Sequence, residues 1–242
     1  MLYGVILAAG KSKRFGKNKK KQFLLINKKP IFIYSVDKFL SLKKIDKIIL
    51  VIDKNDKDNK LIKKFFKDYK SYITRGKITI IIGGNERYDS VYNALTYISS
   101  SYGISNIDKI LIHDSARPNV NVKDIDKLIK LLNKYKAISL GSRLKDTIKE
   151  IKSIANNIAD IKNTKDRNKY TLVSTPQGFD LKTLLKSYNI FNKVKNKSRF
   201  TDDLQIVEEY SKVKSYILIT NNNNLKITTQ NDLNMIKYLL SN

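Results

Sequence analysis

The hydrophobic residues of this chain fall into short continuous runs that alternate with longer segments of helical periodicity. The continuous runs have the length of buried strands and occupy residues 5–7, 47–53, 77–82, 109–113 and 216–220. Apolar residues recur at helical spacing in 30–40, 58–69, 88–99, 124–135 and 230–240. Strands that are apolar along their whole length are typical of parallel sheets covered by helices on both faces. The pattern therefore predicts an α/β fold with a doubly wound, mostly parallel sheet.

A polar stretch at 145–170 interrupts this alternation, because it contains no long segment of helical periodicity. We expect it to leave the sheet as a protruding arm, and arms of this kind often make subunit contacts. The core pattern resumes at 171–173, and two helical segments follow at 181–187 and 202–210. The length of the chain fits a single domain, 1–242, with this arm as its elaboration.

Composition narrows the class of protein. Hydrophobic residues make up 41% of the chain, which is enough for a sizeable core and excludes global disorder. The absence of cysteine excludes disulfides and thiolate metal sites. No apolar stretch approaches the roughly 18 residues that suggest a membrane span, and the apolar run at 5–9 is too short for a signal peptide. We therefore expect a cytoplasmic protein with no membrane partner.

The formal net charge of +26 raises the alternative of a basic nucleic-acid-binding module. The lysines, however, are spread over nearly every segment, including the exposed face of the predicted helix at 124–135. Lysine, isoleucine and asparagine are enriched together, which indicates a compositional bias rather than a selected binding face. We expect weak attraction to polyanions but no specific nucleic-acid partner.

The first predicted strand runs directly into a turn of small residues, Ala8, Ala9 and Gly10, and then into a cationic loop at 11–21. Such a turn lets backbone N–H groups approach an anion closely, and cationic side chains supply the remaining charge. The segment has the properties of a polyphosphate site, although an ordinary turn with solvated lysines has the same local pattern. The loop lacks G-x-G-x-x-G, which disfavours a nicotinamide-dependent dehydrogenase.

Polar residues also stand at the ends of the later predicted strands, where the functional residues of open α/β sheets lie. Arg87 and Ser90 follow the third strand, and Asp114 and Arg117 follow the fourth. Further polar segments occupy 146–147, 175–179, 201–203 and 224–228. One carboxylate, one hydroxyl and several cations that converge on a phosphate-type loop predict Mg²⁺-assisted phosphoryl or nucleotidyl transfer.

Nine short segments, in order along nearly the whole chain, resemble the cytidylyltransferases that couple CTP to small alditol phosphates. They are LAAGKSKRFG from Leu7, KQF from Lys21, GGNERYDSV from Gly83, HDSARP from His113, KDT from Lys145, DR from Asp166, TPQ from Thr175, TDD from Thr201 and NLKIT from Asn224. The sequence is most similar to the 2-C-methyl-D-erythritol 4-phosphate cytidylyltransferase family of isoprene biosynthesis. The family of ribitol-5-phosphate cytidylyltransferases, which make CDP-ribitol, is the alternative within this class.

The resemblance implies a Rossmann-like nucleotidyltransferase fold and the transfer of CMP from CTP to 2-C-methyl-D-erythritol 4-phosphate. The products would be 4-diphosphocytidyl-2-C-methyl-D-erythritol and pyrophosphate. The catalytic cations that the resemblance implies are Arg14, Lys21 and Lys226, and Asp114 matches the position that holds Mg²⁺. Fixed cations and Mg²⁺ would stabilise the charge that develops on the phosphate oxygens in the transition state.

The resemblance also assigns residues to the nucleotide. The implied nucleotide-binding residues are Ala8, Ala9, Gly10, Gly84, Asn85, Arg87, Ser90 and Ser115. The first three match the loop that binds the triphosphate through backbone amides. Gly84, Asn85 and Ser90 match positions around the cytosine, and Ser115 matches the position near the ribose.

For the alditol phosphate, the resemblance implies a pocket formed by Asp146, Thr147, Arg167 and Thr175. In this family part of that pocket comes from a neighbouring subunit, and Thr147 and Arg167 match those positions. Both residues lie in the predicted arm, so we expect a homodimer with shared active sites. An arginine suits a phosphate there because its planar fork donates two hydrogen bonds at once.

The sequence departs from the family pattern at three positions. Lys20 stands where many relatives have proline, which predicts a more mobile loop. Asn223 stands where a carboxylate is frequent, so that metal binding would depend more heavily on Asp114. Ser12 replaces a frequent glycine, a change that is tolerable if φ at this position is negative.

Two further features have competing interpretations. His113 is the only histidine of the chain, and we expect it to be structural rather than a metal ligand. The segment 201–203, Thr-Asp-Asp, is typical of a helix N-cap with acidic residues in the first turn. The same segment could instead support the active-site pocket.

Overall fold

A central β-sheet with helices packed around it forms the fold. The computed structural model describes residues 1–12, 15, 20–221 and 224–241. Within these residues the strands are β1 (Leu2–Leu7), β2 (Leu25–Ile26), β3 (Lys29–Pro30), β4 (Lys47–Ile52), β5 (Ile78–Ile82), β6 (Lys109–Asp114), β7 (Ala137–Arg143), β8 (Ile148–Ala155), β9 (Ile158–Lys165), β10 (Thr171–Asp180) and β11 (Tyr216–Ile219). The helices are α1 (Ile31–Ser41), α2 (Lys60–Asp68), α3 (Lys70–Thr74), α4 (Arg87–Tyr102), α5 (Val122–Leu131), α6 (Leu181–Phe191), α7 (Asp203–Tyr210) and α8 (Gln230–Ser241).

Seven of the described strands form one sheet in the order β11-β7-β10-β6-β1-β4-β5. β1 pairs in parallel with both β4 and β6, and β4 pairs in parallel with β5. β10 is antiparallel to both of its neighbours, β6 and β7. The mostly parallel sheet predicted from the sequence is therefore confirmed. Because β1, β4, β5 and β6 run in one direction, their carboxyl ends meet at one edge of the sheet.

Two hydrophobic cores lie on opposite faces of this sheet. Ile48 and Leu50 of β4 belong to a cluster that contains Phe39 of α1. Ile49 and Val51, which alternate with them, belong to a second cluster that also contains residues of α4 and α6. All four β4 side chains are completely buried, and each contributes about 1.5–3 kcal/mol to folding. Helices on both faces explain why the strand sequences are continuously apolar, and they confirm the doubly wound arrangement.

The strand predicted at 171–173 is longer than its apolar run, because β10 continues to Asp180. The added part contains Pro176 and Gly178, residues that weaken the sequence signal of a strand. Its residues are nevertheless buried between β6 and β7. A Cβ on Gly178 would lie 2.7 Å from Leu128, so α5 packs directly on this backbone.

The polar stretch at 145–170 contains a hairpin of β8 and β9 that forms a two-stranded sheet of its own. Asn156 and Asn157 turn the hairpin, with φ angles of 50° and 65°. Paired positive φ values suit the right-handed twist of a hairpin, and asparagine tolerates them well. Sequence periodicity predicted an excursion here but not its strands.

The remaining helices follow the predicted pattern with small changes of boundary. The helical segment predicted at 58–69 is divided, because α2 ends at Asp68 and the short α3 follows it. None of the described helices has both the length and the apolar character needed to cross a membrane.

Candidate active site

A cavity of about 250 Å³ lies at the carboxyl edge of β1 and β6, beside the N-terminus of α4. It brings together ten of the residues singled out in the sequence, namely Ala9, Gly10, Lys21, Gly84, Asn85, Arg87, Ser90, Asp114, Ser115 and Lys226. Open α/β sheets bind ligands at this edge. The small-residue turn after β1 thus faces a real cavity rather than only bulk solvent.

The turn after β1 is fixed by the side chain of Gln22. Its Nε2 donates hydrogen bonds to the carbonyl oxygens of Ala8 (2.8 Å) and Gly10 (3.0 Å). Gln22 is buried and belongs to a short 3₁₀ turn, Lys21–Phe23. The end of the loop is therefore bonded to the turn at which the loop begins. As a result, Lys21 lines the cavity together with Gly10.

Ser12 joins the two ends of this loop, since its Oγ accepts a hydrogen bond from the Lys21 amide at 3.0 Å. Its φ is 53°, so the residue adopts the left-handed conformation. Serine was expected to replace glycine without cost only if φ at this position is negative. The positive φ therefore does not meet that condition. This conformation strains a residue with a Cβ. The hydrogen bond to Lys21 is one interaction that offsets the strain.

Ala8 does not line the cavity. Its side chain is buried in the core, and its amide donates to the carbonyl oxygen of Val51 at 2.8 Å. Triphosphate binding by Ala8 remains a prediction, since in this structure its amide is hydrogen-bonded to the neighbouring strand β4. The catalytic assignment of Arg14 and the departure at Asn223 lie outside the described residues.

The N-terminus of α4 closes another side of the cavity. Ser90 Oγ accepts a hydrogen bond from the Gly84 amide (3.1 Å) and donates one to the Glu86 carbonyl (3.2 Å). Glu86 and Asp89 form a reciprocal capping box, which fixes the first turn of the helix. A Cβ on Gly83 would lie 2.6 Å from Ser90 Oγ, so only glycine allows this close packing.

Asp114, the last residue of β6, lies between two cations. Arg87 Nε contacts one carboxylate oxygen at 3.0 Å, and Lys226 Nζ contacts the other at 2.7 Å. Burial alone would raise the pKa of Asp114, but the charges of Arg87, Lys226 and Arg117 outweigh it and hold that pKa well below its usual range. Asp114 is therefore ionised at every physiological pH.

Arg87 is itself held by a buried carboxylate. Its two terminal nitrogens contact the two oxygens of Asp203 at 2.9 and 2.8 Å, and Tyr188 donates a hydrogen bond to the same carboxylate at 2.5 Å. Burial opposes the charge of Arg87, yet Asp203 and Asp114 keep its pKa well above its usual value. The guanidinium is thus fixed, and it fixes Asp114 in turn.

Both interpretations of the segment 201–203 are correct, each for a different residue. Asp202 is the N-cap of α7 and accepts a hydrogen bond from the Gln205 amide at 2.9 Å. Asp203 supports the cavity through Arg87. Gln177 joins the two roles, because it donates to Asp202 and accepts from the amide of Asp203.

Lys226 is carried by a segment that is attached to the end of β6. The Ile227 amide donates to the Ala116 carbonyl at 2.9 Å, and Arg117 donates to the Asn224 carbonyl at 2.6 Å. The Asn224 side chain donates to the Thr175 carbonyl at 2.7 Å. These bonds set the position from which Lys226 reaches Asp114.

His113 is completely buried, and burial lowers its pKa to about 3, so the ring is neutral. Its Nδ1 is hydrogen-bonded to Thr175 Oγ1 at 3.1 Å, and the same hydroxyl accepts from the Asp114 amide at 3.0 Å. The ring also contacts Phe39, with 5.4 Å between the ring centroids. These surroundings agree with the expected structural role.

The residues predicted to bind the alditol phosphate do not lie together in the structure. Thr175 is buried against the backbone of Asp114. Asp146, Thr147 and Arg167 are exposed at the base of the β8–β9 hairpin, and none of them lines the cavity. Arg167 instead donates a hydrogen bond to the Lys145 carbonyl.

Sequence reasoning did not assign several residues on which this site depends, among them Gln22, Gln177, Tyr188 and Asp203. Gln22, Gln177 and Asp203 stand inside the segments KQF, TPQ and TDD, so these segments were the sequence signal by which they could have been found. Their partners are distant in sequence, however, and Asp203 is 116 positions from Arg87. Only the fold could pair them.

Known proteins resemble this chain over its full length. A family model described as 2-C-methyl-D-erythritol 4-phosphate cytidylyltransferase (IspD) matches residues 2–242. The Dictyoglomus thermophilum protein of that name is 37% identical over 246 residues, covering 99% of this chain and 96% of the relative. The Clostridium perfringens protein of that name is 40% identical, covering 98% of this chain and 97% of the relative.

Solved structures agree with these sequence relatives. The crystal structure of 4-diphosphocytidyl-2C-methyl-D-erythritol synthase from Anaerococcus prevotii superposes with a TM-score of 0.80 at 26% identity. The match covers 100% of this chain and 96% of the other. The cavity therefore lies in a fold shared with enzymes of this name. This chain belongs to the 2-C-methyl-D-erythritol 4-phosphate cytidylyltransferase family.

Proposed function

We propose that the protein transfers CMP from CTP to 2-C-methyl-D-erythritol 4-phosphate and releases pyrophosphate. The observation that carries the proposal is the ionised Asp114, held between Arg87 and Lys226 beside the small-residue turn after β1. Membership of the family and the names of the relatives supply the substrates. All the relatives reported above are named for methylerythritol phosphate chemistry, which favours this acceptor over ribitol phosphate.

The reaction joins a phosphate oxygen of the acceptor to the α-phosphorus of CTP and breaks the bond from that phosphorus to the β-phosphate oxygen. The alditol phosphate is already ionised near neutral pH and needs no base. Negative charge develops on the α-phosphate and on the departing pyrophosphate. Lys21 and Lys226, which both line the cavity, would stabilise that charge. The same role for Arg14 is a proposal that rests on the family resemblance.

The nucleotide would enter between the turn after β1 and the N-terminus of α4. A Cβ on Gly10 would meet nothing within 4 Å, so this glycine leaves open space for a close approach of phosphate. A Cβ on Gly84 would instead lie 2.2 Å from Asp89, so glycine at this position allows close packing on α4. Asn85 and Ser115 add polar groups to the lining. Ser90 would act mainly by holding the loop at Gly84, because its hydroxyl is already engaged there.

We also propose that Mg²⁺ binds at Asp114. Among the described residues no three histidine, cysteine or acidic side chains come together as a site made of protein alone would need. Mg²⁺ does not require one, since it is usually held by one or two carboxylates and the substrate phosphates. An ionised carboxylate with unused lone pairs fits this requirement. When bound, Mg²⁺ would neutralise phosphate charge and orient the triphosphate.

A homodimer would complete the acceptor site with Thr147 and Arg167 of a second copy. Ile154, Ile158 and Ile161 on the β8–β9 hairpin have more than half of their surface exposed. An isolated two-stranded hairpin is marginally stable in water, so a covering partner would stabilise it. Charge alone gives no reason to prefer the alternative of a nucleic-acid-binding module.

Pyrophosphate release tests the proposal most directly. Purified protein, CTP and Mg²⁺ would be incubated with methylerythritol phosphate or with ribitol phosphate in parallel. Release with the first acceptor alone is the expected result. Release with ribitol phosphate alone would move the protein to CDP-ribitol synthesis, and release with neither would contradict the proposed function.

A further inference from the structure

Lys20 connects the loop after β1 to the turn that follows β4. Its Nζ lies 2.7 Å from Asp56 Oδ1 and 3.6 Å from Asp53 Oδ2. β1 and β4 are parallel neighbours in register, Leu7 opposite Val51, so the segments after them meet at the same edge of the sheet. The ion pair is partly shielded from water, since the Asp56 side chain is only 7% exposed.

The backbone of Asp56 is held in place by contacts other than its ion pair with Lys20. Asp53 caps a 3₁₀ turn, Lys54–Asp56, and its carbonyl accepts the Asp56 amide at 2.9 Å. The second oxygen of Asp56, Oδ2, is buried and has no hydrogen-bond partner within the described part of the chain. Burial raises the pKa of Asp56, and the hydrogen bond from Lys20 opposes that change. Lys20 is thus the cation that offsets part of the cost of burying this carboxylate.

The other end of the connection bears directly on Lys21. The Lys20 carbonyl accepts the Phe23 amide at 3.0 Å and so begins the turn Lys21–Phe23. Hydrogen bonds from the Lys21 amide and the Gln22 side chain attach this turn to the loop after β1. Lys20 attaches it to the segment after β4. Two attachments from different strands restrict the turn more than either one could alone.

We propose that Lys20 is a positioning residue, whose ion pair with Asp56 fixes the turn that presents Lys21 to the active-site cavity. The inference rests on the proposed function, because it takes Lys21 as a catalytic cation. Lys20 has a φ of −73°, a value that the ring of proline also imposes. Proline is therefore compatible with the backbone conformation at this position, where its ring would restrain φ without a charge.

The decisive experiment is a double-mutant cycle with Lys20→Ala, Asp56→Asn and the combined variant, measured in the steady state. Each single change is expected to lower kcat about tenfold, with the KM for CTP within about threefold of wild type, because misplaced catalytic groups cost turnover. The combined variant should be no worse than either single change, since both remove the same interaction. Lys54→Ala, which removes an exposed lysine from the same turn, is the matched control and should retain full activity.

A direct contact between Lys20 and the triphosphate would give a different result. In that case Lys20→Ala would raise the KM for CTP, while Asp56→Asn would leave activity unchanged or improve it. Effects that multiply in the combined variant would equally overturn the proposal. Lys20→Pro combined with Asp56→Asn should recover kcat to within about twofold of wild type, because proline restores the restraint without charge. If the variant with Lys20→Pro and Asp56→Asn were as slow as Lys20→Ala, this explanation would be contradicted.

Hydrogen exchange separates this inference from the proposed function. Amides of residues 20–24 should exchange faster in Asp56→Asn than in the wild type or in Lys54→Ala, whether or not the protein is active. Unchanged exchange there would overturn the positioning role even in an active enzyme. If the wild-type protein transferred CMP to neither acceptor, the proposed function would fail, and the exchange result alone would decide on the ion pair.

Discussion

Arg87 and Asp203 form a bidentate ion pair, in which each terminal guanidinium nitrogen contacts one carboxylate oxygen, at 2.9 and 2.8 Å. Asp203 is completely buried, and its carboxylate also accepts a hydrogen bond from the hydroxyl of Tyr188. The third nitrogen of Arg87, Nε, points to Asp114. The pair therefore connects α7, whose residues do not line the cavity, to Asp114, which does.

Asp203→Ala should destabilise the protein by about 3–5 kcal/mol, because it leaves the charge of Arg87 without its buried partner. Urea denaturation followed by circular dichroism measures the free energy of unfolding. Asp58→Ala provides the control, since Asp58 forms an ion pair with Lys63 in which both side chains are mostly exposed. That change should cost less than about 1 kcal/mol. Equal losses in the two variants would contradict the importance assigned to the buried pair.

Lys21→Ala should lower kcat by about 10²- to 10³-fold and weaken CTP binding far less, because its charge is needed mainly in the transition state. Steady-state kinetics and calorimetric titration with CTP measure the two effects separately. Lys186→Ala, at an exposed position on α6, is the control for loss of one lysine. An unchanged kcat would remove Lys21 from the catalytic groups.

The fold was predictable because its signal is local. Each strand of the parallel part is a run of apolar residues, and the strand-end rule then placed Gly10, Arg87 and Asp114 at one edge. The antiparallel β10 was predicted only in part, because its buried half contains proline, glycine and glutamine. Here tertiary contacts override the weak strand propensity of the segment.

The site was predictable as a set of residues but not as a network. Motifs named Asp114 and Lys226, yet their separation of 112 positions hides the ion pair between them. The sequence also could not show that Arg87 is engaged by Asp203, or that Ser12 has a positive φ. Each of these depends on contacts that exist only once the sheet has formed.

Mixed dimers test whether active sites are shared between subunits. A dimer of one Lys21→Ala subunit and one Arg167→Ala subunit has one site with both changes and one site with neither, if Arg167 acts on the partner's site. Equal mixing of inactive variants should then restore about a quarter of wild-type activity, since half of the dimers are mixed. Pyrophosphate release after co-refolding measures the recovery.

The control for this mixture is a single chain that carries both changes. Refolded with wild-type subunits, it would form mixed dimers in which each site has one defect, and these dimers should be inactive. If verified mixed dimers of the two single variants also showed no activity, Arg167 would not serve the neighbouring site.

The pH dependence of stability should report on His113, because it is the only histidine of the chain. Burial lowers its pKa to about 3 in the folded state, whereas an unfolded histidine titrates near 6.5. Between about pH 3 and pH 6.5 the unfolded chain therefore binds up to one proton more than the folded chain, and stability falls as the pH falls. The loss between pH 7 and pH 5 should be about 2 kcal/mol. His113→Gln should remove most of this slope in urea titrations, and a slope unchanged by that substitution would show that another group is responsible.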